Sequence, residues 1–162
     1  MIRVLFVCMG NICRSPMAEA VFAHLVHEAG LETKIEADSA GTGDWHVGQP
    51  PHHGTRRMLE HNGITYNGCA RQLTSRDLDD FDYIITMDEQ NLRDVNSLHV
   101  RGTQRGHDKQ GVNVAPLLDF APHTHTREVP DPYFTDGFEG VYALVQEGAA
   151  GLLAAIRREH GL

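Results

Sequence analysis

Apolar and polar residues follow one another along the chain in blocks that predict strands and helices in turn. Residues 2–7 end in an unbroken apolar run and are typical of a buried strand. After a loop, apolar residues recur at intervals of three and four on one helical face: Ala18, Val21, Phe22, Leu25, Val26 and Ala29. Gly30 is expected to end this helix, and residues 35–40 predict a second strand. Because strand, helix and strand form a βαβ unit, we expect a parallel sheet with a right-handed crossover.

The rest of the chain continues this alternation. Four further elements are predicted: a short helix over 55–62, a strand over 83–87, a helix capped by Asp88 that runs to Asn96, and a strand within 112–120. The polar, glycine-containing stretch 99–111 predicts a mobile loop. The last helix is expected to begin near Gly137, although Gly148 and Gly151 should each weaken it by about 1 kcal/mol.

Length and composition are typical of one soluble globular domain that spans 1–162. The formal net charge of −8 argues against nucleic acid or an anionic membrane as a partner. Three cysteines are too few for a disulfide scaffold, and neither a membrane span nor a signal peptide is recognised, so we expect a cytoplasmic protein without membrane insertion. The histidines have no metal-ligand spacing. We therefore expect neither metal nor cofactor, and interpret four of them as solvated loop residues: His52, His53, His123 and His125.

The stretch from Cys8 to Ser15 places a nucleophile and an arginine in the loop between the first strand and the first helix. Such a loop turns successive backbone N–H groups toward an anion, and the helix start adds further donors. Gly10 lets the backbone approach a ligand, and the planar guanidinium of Arg14 matches two phosphate oxygens. Ser15 is expected to be the N-cap of the helix and Pro16 its first residue. This pattern predicts a phosphate-binding loop.

The same surroundings should act on the thiol of Cys8. A free thiol has a pKa of about 8.5, which falls to about 3.5–7.5 beside a helix N-terminus and an arginine. We therefore expect Cys8 to be a thiolate at neutral pH, placed for in-line attack on phosphorus. A nucleotide-binding P-loop would need a lysine followed by serine or threonine, and this loop has no lysine but offers Arg14 and a sulfur instead. The sequence thus favours metal-free phosphoryl transfer through a cysteine.

Residues 7–20, Val-Cys-Met-Gly-Asn-Ile-Cys-Arg-Ser-Pro-Met-Ala-Glu-Ala, resemble the low-molecular-weight protein tyrosine phosphatases. Residues 70–72 (Ala-Arg-Gln), 88–94 and 131–133 (Asp-Pro-Tyr) resemble the same family, and the resemblance is least clear over 99–127. With the four predicted strands it implies an α/β fold. The expected arrangement is a three-layer α/β/α structure with a central four-stranded parallel sheet and the phosphate-binding loop after its first strand.

The resemblance implies hydrolysis of phosphotyrosine and of aryl phosphate monoesters through a cysteinyl-phosphate intermediate. Cys8 would attack phosphorus, Arg14 would hold the equatorial oxygens, and Asp131 would protonate the departing tyrosine oxygen. From the residues alone, an Asp-Pro pair is most often a turn, but prolines on both sides of Asp131 also stiffen its loop. Protonation of a leaving group with a pKa near 10 is expected to contribute about 10²–10⁴-fold.

The resemblance also implies a set of supporting residues. Phosphate binding and loop shape are expected to involve Met9, Gly10, Asn11, Ile12, Cys13, Ser15 and Ser39. Ser15 would hydrogen-bond the sulfur, and Asn11 would fix the loop with Ser39 as its partner. The substrate ring would lie in a cleft with apolar or aromatic walls: Met9, Ile12, Trp45, Tyr133 and Phe134.

Gly68 and Cys13 are positions at which the sequence leaves the role open. Many relatives carry a histidine where this chain has Gly68, two residues before Ala-Arg-Gln, and that side chain supports the loop; its replacement removes no reacting group. Cys13 is either a small packed thiol or the partner of Cys8 in a reversible disulfide that protects the nucleophile from overoxidation. Cys69 is interpreted as a bystander thiol.

Three alternative functions stay open at this point. A thioredoxin-linked arsenate reductase relays a disulfide through downstream cysteines, and this chain has none after Cys69. A protein-arginine phosphatase tends to have threonine in place of Ile12, and isoleucine favours a neutral aromatic ring over a guanidinium. The third alternative is a non-catalytic module that binds phosphate groups. Such a module would not need the reacting groups, whereas this chain has all of them. The expected partners are tyrosine-phosphorylated proteins, and the expected state is a monomer or weak homodimer.

Overall fold

A computed structural model of the protein describes residues 1–104 and 111–162, including the side chains of all of these except 99–104. The strands are β1 (Ile2–Cys8), β2 (Ile35–Gly41), β3 (Tyr83–Thr86) and β4 (Asn113–Pro116). The helices are α1 (Arg14–Glu28), α2 (His53–His61), α3 (Asp77–Asp80), α4 (Glu89–Gln104), α5 (Pro132–Thr135) and α6 (Phe138–His160). A turn of 3₁₀ helix, Leu117–Phe120, follows β4.

The four strands form a parallel sheet in the order β2-β1-β3-β4. The register places Cys8 beside Gly41 of β2, and Val7 beside Thr86 of β3. The chain goes from β1 to β2 on one side and later places β3 on the other, so the strand order reverses at β1. Open parallel sheets bind ligands at the carboxyl ends of the strands at such a point. The fold therefore places Cys8 where a ligand is expected.

Helices cover both faces of the sheet. Phe6 and Ile85 belong to the larger apolar core, which the sheet forms with α1 and α6. Leu5 and Ile84 point to the other face and pack in a smaller core with residues of α3 and α4. The predicted three-layer α/β/α arrangement with four parallel strands is confirmed. Among the described residues, none of the helices combines the length and the apolar character that a membrane span requires.

The start of α1 differs from the sequence prediction. The helix begins at Arg14, and Cys13 is its N-cap without a side-chain hydrogen bond, so the prediction of Ser15 as N-cap is wrong. The physical reason is that the Ser15 hydroxyl lies inside the first turn and contacts the sulfur of Cys8, where it cannot cap the helix.

The extent of α4 also differs from the prediction. The helix continues past Asn96 to Gln104, in part because Leu98 packs against the smaller core. The predicted mobile loop over 99–111 is therefore helical as far as residue 104, and its residues 105–110 lie outside the described part of the chain.

Candidate active site

The loop between β1 and α1 closes around the sulfur of Cys8. This side chain is buried, with 2% of its surface exposed. The backbone N–H of Asn11 donates to Cys8 Sγ at 3.3 Å, and Ser15 Oγ lies 3.0 Å from the same sulfur. Asn11 has a φ of +57°, in the left-handed region that asparagine enters more readily than other residues with a side chain. In this conformation its N–H points at the sulfur.

The side chain of Asn11 ties the loop to three other segments. Its Nδ2 donates to Ser15 Oγ at 2.8 Å and to Ser39 Oγ at 2.9 Å, which uses both amide hydrogens. Its Oδ1 accepts from the backbone N–H of Arg71 at 3.0 Å. The structure thus brings together the three supporting residues that the sequence singled out for loop shape: Asn11, Ser15 and Ser39.

The glycine-rich end of β2 holds the phosphate-binding loop through backbone hydrogen bonds. The backbone N–H groups of Thr42 and Gly43 donate to the carbonyl oxygens of Cys8 and Met9, each at 2.9 Å. A Cβ atom at Gly41 would lie 2.8 Å from the Met9 carbonyl oxygen, so only glycine allows the two backbones to lie this close.

Arg14 is buried, with 3% of its surface exposed, and three oxygens fix its guanidinium. Its Nη1 donates to Asp88 Oδ2 at 2.6 Å and to the Val129 carbonyl at 3.0 Å, and its Nη2 donates to Asp131 Oδ2 at 3.4 Å. Burial by itself lowers the pKa of Arg14, but Cys8 and the two carboxylates outweigh burial and raise it. A guanidinium has five N–H donors, so two remain for an anion.

Asp88 is a site residue whose second contact the sequence did not reveal. One carboxylate oxygen accepts from the backbone N–H of Asn91 at 2.8 Å, as expected for the cap of α4. The other oxygen binds Arg14. Its place in the sequence could have indicated this contact. Asp88 directly follows β3, which lies beside β1 in the sheet. Side chains at the carboxyl ends of neighbouring parallel strands lie close together.

Asp131 caps the short helix α5 and faces the same arginine. Its Oδ1 accepts from the backbone N–H of Tyr133 at 3.1 Å, and its Oδ2 is the oxygen nearest to Arg14. The preceding segment is anchored by the Val129 N–H, which donates to the Met87 carbonyl after β3 at 2.8 Å. The carboxyl group is thereby held over the loop.

A pocket of about 170 Å³ opens above the sulfur and holds all three predicted catalytic residues. All five predicted cleft residues also line it: Met9, Ile12, Trp45, Tyr133 and Phe134. Ile12 is 7% exposed, whereas Trp45 and Phe134 are 67% and 71% exposed, so the pocket has a buried base and an aromatic rim. A groove of about 630 Å³ continues from it along the first turns of α4.

Two histidines at this rim were not assigned to the site from the sequence. The backbone N–H of His52 donates to the Ile12 carbonyl at 2.8 Å, and its ring stacks on Phe138 with centroids 5.0 Å apart. The rings of His46 and His52 lie 6.0 Å and 6.1 Å from that of Tyr133. His52 lies in a loop, as interpreted, but it is only partly exposed. His53 is exposed but begins α2, so its interpretation as a loop residue is wrong, whereas His123 and His125 are exposed loop residues. Burial lowers the pKa of His52, and the neighbouring His53 lowers it further.

Cys13 borders the same pocket but differs from Cys8 in its contacts. It is buried, and its carbonyl accepts from Thr55 Oγ1 at 3.0 Å. Burial raises the pKa of the Cys13 thiol to about 12, with further contributions from Cys8 and Asp131. All three cysteines are free thiols, and Cys69 is exposed. Within the described residues, no group of three or more histidine, cysteine or acidic side chains is placed to hold a metal ion.

Comparison with known proteins gives consistent matches over the full chain. The family described as "Low molecular weight phosphotyrosine protein phosphatase" matches residues 3–161. The chain is 49% identical to the low molecular weight protein-tyrosine-phosphatase YfkJ of Bacillus subtilis over 163 residues, 100% of both chains. The crystal structure of YfkJ has a TM-score of 0.90 and covers 98% of this chain and 96% of that one. A crystal structure described as "DARP, drosophila arginine phosphatase" has a TM-score of 0.87 at 32% identity, covering 95% of this chain and 97% of that one.

Proposed function

The chain belongs to the low-molecular-weight phosphotyrosine protein phosphatase family, and from this membership we propose how its own residues carry out the reaction. It is a protein-tyrosine phosphatase, a hydrolase that acts on phosphoproteins. The observation that carries the assignment of roles is the meeting of Cys8, Arg14 and Asp131 in one pocket. Cys8 and Arg14 come from one loop and Asp131 from a distant part of the chain, and they are the nucleophile, anion-binding group and proton donor that the reaction requires.

In the first step the Cys8 sulfur attacks phosphorus as a thiolate. The S–P bond forms while the bond between phosphorus and the tyrosine oxygen breaks, and Asp131 gives its proton to that oxygen. The two remaining donors of Arg14 and the inward loop N–H groups hold the equatorial phosphate oxygens, where charge develops. The contacts of Asn11 and Ser15 with the sulfur hold it in position before attack.

In the second step water attacks the phosphorus of the cysteinyl-phosphate. Asp131, now ionised, takes a proton from this water, and the S–P bond breaks to return the thiolate and release inorganic phosphate. The sulfur is the leaving group here, so its contacts with Asn11 and Ser15 stabilise the negative charge that it regains.

The pocket walls favour a phenyl ring as the group attached to phosphate. Ile12 lies at the buried base of the pocket, and Trp45, Tyr133 and Phe134 form a rim that can flank an aromatic ring. A guanidinium would lose its hydration against the Ile12 side chain without gaining a polar partner there. This is the reason to prefer phosphotyrosine over phosphoarginine, although one structural neighbour is described as an arginine phosphatase.

Three further features are proposed on the same basis. The thiol of Cys13 is the resolving partner that forms a disulfide with an oxidised Cys8, since both are buried beside one pocket.

The location of the protein is the reducing cytoplasm, which suits its free thiols. The protein acts as a monomer or weak homodimer.

Hydrolysis of p-nitrophenyl phosphate in the presence of EDTA tests the proposed chemistry. The wild-type protein should turn over without added metal, and Cys8→Ser should lose turnover while still binding inorganic phosphate. Cys69→Ser is the matched control, because Cys69 is exposed, and it should keep full activity. Turnover by Cys8→Ser, or a requirement for metal in the wild type, would contradict the proposal.

Peptide substrates test the choice of leaving group. Of two matched peptides, the one that carries phosphotyrosine should have a higher kcat/KM than the one that carries phosphoarginine. The Ile12→Thr variant should have a smaller ratio between these two kcat/KM values than the wild type. A wild-type preference for phosphoarginine would overturn the specificity argument and leave the cysteine chemistry intact.

A further inference from the structure

The Tyr66 hydroxyl lies at the end of a chain of hydrogen bonds that leads to the nucleophile. It donates to Glu19 Oε2 on α1 at 2.7 Å, and Ser39 Oγ donates to the same oxygen at 2.6 Å. Ser39 Oγ in turn accepts from Asn11 Nδ2 at 2.9 Å, and the Asn11 N–H donates to Cys8 Sγ. Of the residues in this series of hydrogen bonds, Cys8 at its end is the one that reacts with the substrate.

The direction of these hydrogen bonds depends on Glu19. The Ser39 hydroxyl accepts from the Asn11 amide and gives its single hydrogen to Glu19. Glu19 must therefore act as an acceptor. The Tyr66 hydroxyl occupies the second acceptor site of Oε2 and can only donate there. Burial, followed by the charge of Glu19, raises the pKa of Tyr66, so this hydroxyl keeps its hydrogen.

We propose that Tyr66 is a positioning residue for catalysis: its hydroxyl holds Glu19 as an acceptor and, through Ser39, fixes the orientation of the Asn11 side chain. The amide of Asn11 in turn maintains the left-handed backbone that points its N–H at the Cys8 sulfur. The inference extends the proposed function, on which it rests, because it concerns the precision of the same loop.

Gly68 is the sequence feature that makes this arrangement fit. A Cβ atom at Gly68 would lie 2.3 Å from the Tyr66 hydroxyl oxygen and 2.5 Å from its Cζ, so the tyrosine occupies the space of a side chain at that position. The ring end of Tyr66 would have to move from its present position beside Glu19 if any other residue replaced Gly68. Gly68→Ala therefore displaces the hydroxyl without removing it.

The protonation of Glu19 gives the proposal a pH signature. Burial raises the pKa of Glu19, and the nearby charge of Asp38 on β2 adds to this effect. The hydrogen bonds from Ser39 and Tyr66 and the charge of Arg71 lower it. Loss of the Tyr66 hydroxyl removes one of the contributions that lower the pKa, so Glu19 should take up a proton at a higher pH than in the wild type.

A protonated Glu19 would reverse the hydrogen bond between Glu19 and Ser39. With the Tyr66 hydroxyl absent, the acquired hydrogen on Oε2 can be donated to Ser39. The Ser39 hydroxyl hydrogen would then lose its acceptor on Glu19, and the Ser39 oxygen that receives the Asn11 amide would be held less firmly. Activity should therefore decline as the pH falls through the raised pKa of Glu19.

The test compares Tyr66→Phe with Tyr83→Phe, using p-nitrophenyl phosphate across the acidic and neutral pH range. Tyr83 is a matched control, because its hydroxyl also donates to a glutamate, Glu159 at the end of α6. We expect Tyr66→Phe to lower kcat at neutral pH about fivefold to tenfold, the equivalent of one hydrogen bond of ordinary strength. KM should change little, since Arg14 still binds phosphate. The acidic limb of the kcat profile should move to higher pH in Tyr66→Phe and stay in place in Tyr83→Phe.

Gly68→Ala is the second variant and should reproduce both effects with the hydroxyl present. The double variant Tyr66→Phe/Gly68→Ala should be no worse than Tyr66→Phe, because both changes break the same contact. An active wild type with an unchanged kcat and pH profile in Tyr66→Phe would overturn the inference. So would an equal shift in Tyr83→Phe, or additive losses in the double variant. A wild type without turnover would instead overturn the proposed function, and the inference with it.

Discussion

At the scale of single residues, the carboxylates of the site are positioned by the helices that they cap. Asp88 gives one oxygen to the first turn of α4 and the other to Arg14. Asp131 gives one oxygen to the first turn of α5 and turns the other toward the same arginine. A capping carboxylate has few rotamers available, so each helix start fixes a charge at the pocket without further contacts.

The residues by themselves predicted the site within one continuous motif, Cys8 to Ser15, whereas the more distant site residues came from the family resemblance. Asn11 and Ser15 lie in the loop itself, and their predicted partners follow from the resemblance of that stretch. The Arg14 contact of Asp88 and the backbone hydrogen bond from His52 to Ile12 were not predicted, because they join segments that are far apart in the chain. No local pattern marks such contacts before the topology is known.

Replacement of Asp131 by asparagine should separate good from poor leaving groups. The asparagine side chain would be a cap of similar shape but could not donate the catalytic proton, so D131N should lose about 10²–10⁴-fold in kcat on phenyl phosphate. The loss on p-nitrophenyl phosphate should be far smaller, because its leaving group needs less protonation.

Asp136→Asn is the control for this prediction. Asp136 ends the same short helix with a φ of +55°, a conformation that asparagine also tolerates, and it is exposed. It should leave kcat on both substrates unchanged. Equal losses on the two substrates in Asp131→Asn would remove Asp131 from its proposed role.

At the scale of elements, the sequence predicted the order of strands and helices better than it predicted their packing. Gly148 and Gly151 were expected only to weaken α6. In the structure, a Cβ at Gly151 would lie 1.8 Å from the Phe120 carbonyl oxygen, and one at Gly148 would lie 2.6 Å from Leu117 Cγ. These glycines let α6 lie close to the 3₁₀ turn after β4. Helix propensity alone cannot show such a contact.

Alanine at Gly151 should therefore destabilise the protein although alanine is the better helix former. We expect the free energy of unfolding to fall by about 1–3 kcal/mol in urea titrations, as for overpacking at a close contact. Gly140 lies in the same helix with open space around its Cα, so Gly140→Ala should raise stability by about 0.5–1 kcal/mol. A stabilising Gly151→Ala would contradict this packing account.

At the scale of the whole molecule, the strand order explains why distant residues meet. The sheet order β2-β1-β3-β4 places the ends of β1, β2 and β3 side by side, so Cys8, Ser39 and Asp88 converge at one edge. The apolar pattern was enough to predict a parallel sheet, and this edge was the expected site. The position of the loop that carries Asp131 came from the resemblance, since no periodicity places a loop in space.

The net charge of −8 opposes a dianionic substrate, so phosphate binding has to be local. The Arg14 charge is buried and less sensitive to salt than the exposed charges that repel the substrate. Added sodium chloride should therefore leave kcat/KM for p-nitrophenyl phosphate unchanged or raise it by up to about twofold. A steep fall with salt would show that a long-range positive field attracts the substrate, contrary to this account.

The most direct test of the central claim is to find the phosphate on Cys8 during turnover. A rapid alkaline quench of enzyme with p-nitrophenyl phosphate, followed by mass spectrometry of the peptide that contains Cys8, measures this intermediate. We predict phosphate on the Cys8 sulfur, at a higher level in Asp131→Asn, because that variant lacks the base of the second step. Turnover without phosphate on Cys8, or with phosphate on another residue, would contradict the account.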